Sequence, residues 1–324
     1  MKAAIVGCGL IGTRRAQALG RHELVIAADR DLERARGVAA IGRAAVSTTD
    51  WQEAAAHPDV DLVIVSTTND SLTPVALFAV EHGKHVLVEK PAARTPEEIA
   101  PLITMAAGRG SRVKVGFNLR FHPALRKAKE LVDAGAVGDL MFIRGRYGHG
   151  GRDGYEKEWR ADPAIAGGGE LIDQGVHLID LCRWMLGEFT VVDGFVCTYF
   201  WNMPVEDNAF VSLRTARGQA AWLHASCTEW KNMFGLEIYG RTGKLQVDGL
   251  GGSYGVERLS YFKLRQQMGP PETTIWEYPF ADRSWQAELE DFVEAIARDR
   301  EPEGNLHDAR AALEIVQQVY SCKR

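Results

Sequence analysis

Residues 7–12 read Gly-Cys-Gly-Leu-Ile-Gly, and this hexapeptide limits the possible folds more than any other stretch of the chain. It follows an apolar, strand-like run, AAIV, and opens a helix-like run, IGTRRAQAL. Gly7, Gly9 and Gly12 thus sit in the spacing G-x-G-x-x-G on a strand-to-helix turn, the context this motif requires. Gly7 permits the tight turn, Gly9 lets a pyrophosphate approach the backbone, and Gly12 lets helix and strand pack closely. The helix start then offers amide N–H groups and the positive end of its dipole to phosphate. Cys8, Leu10 and Ile11 complete the expected cradle. Asp29 closes the next apolar run, ELVIAAD, twenty positions beyond Gly9, where a ribose-binding carboxylate belongs. The expectation is a dinucleotide site.

The rest of the first third agrees. Short apolar runs (ELVIAA, DLVIVST, KHVLVE, RVKVGF) alternate with helix-like segments, the pattern of a parallel sheet covered on both faces. Thr95-Pro96 followed by two glutamates reads as an N-cap, a first-turn proline and first-turn acids. Beyond residue 120 the pattern changes. HPALRKAKELVDAGAVG reads as a bridging helix. Period-two runs follow (MFIRGRY, TVVDGFVCTYF, NAFVSLRT, GQAAWLHASCT, FGLEIYG, GKLQVDG), broken by one helix at about 170–186 and closed by two amphipathic helices. The expected architecture is α/β over residues 1–119, a doubly wound parallel sheet. An α+β domain with a large, mostly antiparallel open sheet is expected over 120–324.

Composition excludes several classes. A net charge of −5, from 38 basic and 43 acidic residues, is no nucleic-acid footprint. No apolar run approaches the roughly 18 residues that span a bilayer, and no signal peptide precedes the first strand. Five widely spaced cysteines without a CxxC pair suit a reducing cytoplasm, with no metal site expected, and Cys8 reads as a small filler.

Two segments carry candidate chemistry. The helix GELIDQGVHLIDLCRWML is apolar except for Asp173, His177, Asp180 and Arg183. At about 100° per residue, Asp173, His177 and Asp180 fall within roughly 60° of one another, one polar stripe on a buried helix. Burying such groups unpaired costs several kcal/mol, so they need partners or a cleft. Gly167–Gly169, just before it, would let the chain approach something bulky such as a cofactor ring. The second segment is Glu89-Lys90-Pro91, at the carboxyl end of strand KHVLVE, where ligands of open α/β sheets bind. Pro91 holds Lys90 extended, with a cis bond as one option.

GCGLIG, the Glu89-Lys90-Pro91 triplet and GGGELIDQGVHLID together resemble the glucose–fructose oxidoreductase / inositol dehydrogenase / MocA family. The resemblance implies a Rossmann domain, then a mixed domain whose open sheet often forms a dimer or tetramer interface. It implies that Lys90, Asp173 and His177 form the catalytic set. It also makes Ser66, Thr67, Thr68 and Asn69 a cofactor-contacting loop, with Glu89, Lys90 and Asn118 further contacts. Where the family usually shows a histidine just beyond that loop, this chain has Thr73 and Pro74.

The implied activity is hydride transfer between nicotinamide and a secondary hydroxyl or keto group of a sugar, cyclitol or nucleotide sugar. His177 would take the proton near neutrality, Asp173 would orient it, and Lys90 would stabilise developing alkoxide charge. With Lys90 strongly desolvated, the lysine would be the base instead. Asp29 favours NAD, and Arg30 would tolerate NADP. Arg120, Tyr147, Trp159 and Arg160 are the expected substrate contacts, alongside Lys90, Asp173 and His177. Residues 144–162, rich in arginine and glycine, suggest a mobile lid that attracts an anionic sugar. Two alternatives are an NAD-dependent glycosidase of the same family and a non-catalytic cofactor-bound sensor. The chain is thus read as a cytoplasmic homodimer or homotetramer, joined through the C-terminal sheet, without nucleic-acid or membrane partners.

Overall fold

The computed structural model describes residues 1–265 and 267–322. The chain forms two compact units. One comprises Met1–Asn118, Ala164–Gly167 and Trp285–Glu314, and the other Leu119–Pro163, Gly168–Ser284 and Ile315–Arg324. The first unit therefore recruits a late stretch of chain that the sequence reading places in the second domain.

The first unit alternates strand and helix: β1 (Lys2–Val6), α1 (Leu10–Gln17), β2 (Glu23–Ala28), α2 (Leu32–Gly42), β3 (Val46–Thr48), α3 (Trp51–Ala56), β4 (Leu62–Val65), α4 (Asn69–Glu81), β5 (His85–Val88), α5 (Pro96–Arg109) and β6 (Val113–Val115). The strands form a six-stranded sheet in the order β3-β2-β1-β4-β5-β6, all parallel. Such crossovers need a helix between consecutive strands, which is why apolar strands and amphipathic helices alternate here. The order reverses between β1 and β4, and the glycine turn after β1 stands at that switch point, where open sheets bind ligands. Caps agree with the sequence: Asp31, Asp50 and Thr95 each accept a first-turn amide N–H. The short edge strand β3 has no apolar alternation and went unpredicted.

Beneath the sheet's carboxyl edge lies a buried ionic cluster. Arg15 of α1 donates to Glu89, just past β5, at 2.7 Å, and to Glu288 at 2.6 Å. Arg15 is 1% exposed and Glu288 0%. Trp285 lays its ring over the same guanidinium at 4.5 Å. Burial raises the Glu288 carboxyl above its ordinary range, Glu89 adds to that, and Arg15 opposes it. Leu289 and Phe292 insert into the apolar core beside Ile5, Leu24, Leu62 and Ile64.

The second unit begins with α6 (Pro123–Asp133) and β7 (Leu140–Gly148). After two short 3₁₀ turns come α7 (Pro163–Ala166), largely part of the first unit, and α8 (Val176–Leu186). Seven strands follow: β8 (Phe189–Cys197), β9 (Asn208–Thr215), β10 (Ala220–Ser226), β11 (Met233–Gly240), β12 (Gly243–Asp248), β13 (Glu257–Lys263) and β14 (Glu272–Tyr278). The last helices are α9 (Ser284–Ala297) and α10 (Leu306–Ser321). The eight-stranded sheet runs β14-β13-β12-β11-β7-β10-β9-β8, antiparallel except where β7 meets β10. Helix α8 covers one face: a Cβ on Gly145 would stand 3.1 Å from the Leu178 side chain, a tight fit beneath the helix. β13 and the exposed edge strand β14 extend the sheet beyond the six strands legible in the sequence.

Replacing Arg15 by Met should strand two buried carboxylates. A loss of about 3–5 kcal/mol in urea-unfolding free energy is expected. A loss no larger than that of an exposed ion pair would show that the cluster does not anchor the unit.

Candidate active site

The glycine turn is shaped by its own backbone. Gly7 adopts φ +93°, and a Cβ there would stand 2.5 Å from the Ser66 carbonyl. A Cβ on Gly12 would meet the Gly7 oxygen at 2.1 Å, whereas one on Gly9 would meet no heavy atom within 4 Å. Gly7 and Gly12 are thus required by the fold, and Gly9 leaves open space where a phosphate would approach. No side chain caps α1, so its first-turn amides have no side-chain acceptor at the cap. Leu10 is exposed beside them and Ile11 half-buried. Asp29 accepts from the Cys8 amide at 2.6 Å and the Asp31 amide at 2.9 Å, which ties the end of β2 to the turn. A carboxylate offers about four lone-pair sites, so Asp29 retains capacity for ribose hydroxyls. Exposed Arg30 follows it. Burial and neighbouring Asp29 push the Cys8 thiol up to about 12, in line with a packing role. This set fits a dinucleotide.

Other expected cofactor contacts have structural partners instead. The Ser66 hydroxyl donates to the Gly7 carbonyl at 2.7 Å and so braces the turn. Thr67 donates to the Thr68 carbonyl, and Thr68 to Asp70. Asn69 is buried and donates its amide to Ala166. Thr73, in place of the family's histidine, donates to Ala92. Glu89, an expected cofactor contact, is 6% exposed and held by Arg15, and a carboxylate so paired braces the segment that carries Lys90. Lys90 is half-buried at the carboxyl end of β5, the Lys90–Pro91 bond is cis, and Asn118 is buried in a 3₁₀ turn beyond β6.

In the second unit, the turn before α8 is π-helical over Leu171–Gly175. Such turns are frequent at functional sites. Asp173 lies in it, half-buried, and His177 follows at 4% exposure. Arg160 donates to Asp173 at 3.2 Å and stacks on Trp159 at 4.6 Å. Tyr147 sets its ring edge-on to His177, with centroids 6.0 Å apart, and packs against Tyr254. Burial raises the Tyr147 phenol well above its ordinary range, reinforced by a hydrogen bond with Tyr254 and by nearby Asp173. Tyr147 thus lies against His177, and Arg160 links Trp159 to Asp173 in the turn just before it.

Three readings change. Asp180 does not join the stripe: it forms a buried two-pronged ion pair with Arg120, at 2.8 and 2.6 Å. Arg120, an expected substrate contact, is thus held in a buried ion pair. The triple glycine makes room for the protein itself: a Cβ on Gly167 would strike Arg94, on Gly168 Tyr320, and on Gly169 the Glu206 backbone. The arginine-rich segment is not a free cationic lid. Arg144 lies on β7 and pairs with Glu237, Arg152 pairs with Glu158, and Tyr155 is buried with its hydroxyl on Glu170 at 2.9 Å. Sequence reasoning missed Tyr254, although Gly-Gly-Ser-Tyr-Gly at 251–255 marks a turn rich enough in glycine to present an aromatic ring.

Among the described residues no helix is long and apolar enough to cross a membrane, and no cluster could hold a metal ion. All five cysteines are free thiols.

Comparison with known proteins accords with this geometry. Residues 1–117 match the model of an oxidoreductase family with an NAD-binding Rossmann fold, and residues 125–246 that of the GFO/IDH/MocA C-terminal domain. Levoglucosan dehydrogenase of Pseudarthrobacter phenanthrenivorans is 34% identical over 182 residues, covering 53% of this chain and 45% of that protein. Inositol 2-dehydrogenase 4 of Saccharopolyspora erythraea is 32% identical over 229 residues, covering 67% and 64%. The chain spans about half the length of the curated relatives it matches. A solved levoglucosan dehydrogenase in complex with NADH and levoglucosan superposes with a TM-score of 0.91 at 23% identity, over 99% of this chain and 96% of that one, which shows a shared fold. With both units matched in order, the chain belongs to the GFO/IDH/MocA family of oxidoreductases with an NAD-binding Rossmann domain.

Proposed function

We propose that the protein is an NAD-dependent dehydrogenase or reductase that transfers hydride between nicotinamide and a secondary hydroxyl or keto group of a sugar, cyclitol or nucleotide sugar. The observation that carries the reading is the buried His177, one turn beyond Asp173 on a π-distorted helix and packed against Tyr147. Curated relatives named for levoglucosan and inositol, both polyhydroxylated rings, support the substrate class. Residues 1–119 bind the cofactor and residues 120–324 bind substrate and assemble the oligomer.

The cofactor supplies the hydride acceptor or donor. The remaining steps fall to the chain. His177 takes the proton from the reacting hydroxyl, a role an imidazole performs near neutrality. Asp173 orients His177, while Arg160 fixes Asp173. Lys90 donates a hydrogen bond to the reacting oxygen and stabilises its developing negative charge. Asp29 accepts from the ribose hydroxyls and repels a 2′-phosphate, so NAD is preferred over NADP.

The outer face of the large sheet supports the oligomeric reading. Trp222 is 64% exposed there. In the same register stand His224 and Phe210, stacked at 4.3 Å, and Phe142 and Tyr239, also at 4.3 Å. An aromatic face left uncovered suits a homodimer or homotetramer interface. Free thiols throughout support a cytoplasmic setting.

Four outcomes test these assignments. NADH formation across a panel of sugars, cyclitols and nucleotide sugars should vanish in Lys90→Ala while NAD binding persists. It should fall roughly 10²–10⁴-fold in His177→Asn. Normal turnover in either variant removes that residue from the chemistry. Asp29→Ala should lower the ratio of kcat/KM for NAD over NADP, and an unchanged ratio would place ribose recognition elsewhere. Trp222→Glu should shift the assembly toward monomer by light scattering, and an unchanged mass would clear that face of the role.

A further inference from the structure

A second aromatic cluster stands at the edge of the large sheet where β7, β8 and β10 end and β9 and β11 begin. Phe200, in the β8–β9 loop, and Trp230, in the β10–β11 loop, are 58% and 66% exposed. Their rings meet edge to face at 4.7 Å, and Phe200 meets Trp201 at 5.1 Å. Exposed apolar rings normally collapse inward or stay mobile; these are held outward by rigid backbone. Asp207 is fully buried and accepts the amides of three successive residues, Tyr199, Phe200 and Trp201, at 2.9, 2.7 and 3.0 Å. Trp230 adopts φ +57°, a left-handed conformation that costs a bulky residue energy and persists only where its surroundings impose it. A Cβ on Gly151 would stand 2.4 Å from the Trp201 ring, so the neighbouring loop is cut to fit the cluster.

The cluster is continuous with the His177 region inside the same unit. Trp201 packs on Tyr155 at 5.6 Å, and the Tyr155 hydroxyl bonds Glu170, the residue before the π-helical turn that holds Asp173. The Glu170 amide in turn donates to the Glu206 carbonyl, one residue from the Asp207 anchor. Helix and sheet meet at this end as well, since a Cβ on Gly175 would touch Ala225 at 3.5 Å.

We propose that Phe200 and Trp230 form a stacking shelf for the second ring of a disaccharide- or glycoside-sized substrate whose first ring occupies the His177 site. The proposal rests on the sugar oxidoreductase reading above and narrows its substrate class. A pyranose presents an apolar C–H face, which suits a fixed aromatic surface, and hydroxyl edges, which suit the flanking Asn202, Glu229 and Lys231. A second copy of the chain is the poorer occupant. A stable interface buries about 800 Å² per partner, far more than two side chains offer, and rigid rings gain most with a small, well-shaped ligand.

Calorimetric titration of the full chain with NAD present separates the outcomes. Cellobiose, maltose and lactose are compared with glucose and galactose, in the wild type and in Phe200→Ala and Trp230→Leu. At least one disaccharide should bind more tightly than its monosaccharide. Each substitution should weaken that disaccharide about tenfold while leaving the monosaccharide unchanged. Trp230→Phe should restore most of the loss, which a folding defect would not allow. Equal weakening of both sugar sizes, or no preference for two rings in the wild type, overturns the shelf. So does a change in assembly mass without a change in sugar binding. If the disaccharide preference holds but neither NADH formation with a sugar nor NADH consumption with its keto form is seen, the proposed dehydrogenase or reductase activity fails and the shelf stands as a sugar-binding site.

Discussion

The pairing of Arg15 with Glu89 and Glu288 is the interaction on which the first unit's chemistry rests. One cation and two carboxylates, all but excluded from water, hold together the helix after the glycine turn, the strand end that carries Lys90, and a helix from far along the chain. Ions buried this deeply incur a large desolvation penalty, and only close mutual pairing offsets it. The geometry is therefore steeply defined. A displacement of any one element leaves a charge without its partner, so phosphate cradle and lysine are set by a single constraint.

A comparable economy of parts runs through the second unit. Asp207 organises a loop through three amides, Asp180 and Arg120 lock each other, and Glu170 fixes Tyr155. Each is a buried polar group satisfied by partners six to sixty positions away along the chain, which converts a solvation cost into positional definition. Asp173 with Arg160, and Tyr147 beside His177, form the set to which the proposed function assigns the chemistry.

Much of this was legible in the chain itself. Period and punctuation identify the parallel sheet, because buried parallel strands read as continuous apolar runs and helix caps are local signals. The motif around Gly7–Gly12 was visible for the same reason, short-range spacing, whereas the grouping of Lys90 with Asp173 and His177 was an expectation from the family resemblance alone. The rest was hidden by distance. Arg15 looks like a solvated helix residue, and its partners lie 74 and 273 positions away. Asp180 seemed to share a face with Asp173 only because a regular helix was assumed, and the π-helical turn removes that regularity. Gly167–Gly169 signalled close approach correctly. What approaches is Arg94, Tyr320 and Glu206 rather than a ligand, and glycine spacing cannot tell the two apart. Strands β3 and β14 escaped notice because edge strands with exposed faces lose their alternation.

The return of Trp285–Glu314 into the first unit has a bearing on biosynthesis. A nascent chain emerges from its amino end, and domains ordinarily fold as they appear. Here Glu288 follows Arg15 by 273 positions, with Leu289 and Phe292 just behind it, so Arg15 and part of the apolar core must wait with their surfaces uncovered. The amino-terminal segment is thus a poor choice for expression as an isolated fragment. Any premature stop before residue 285 would leave it without its keystone, however intact its strands and helices.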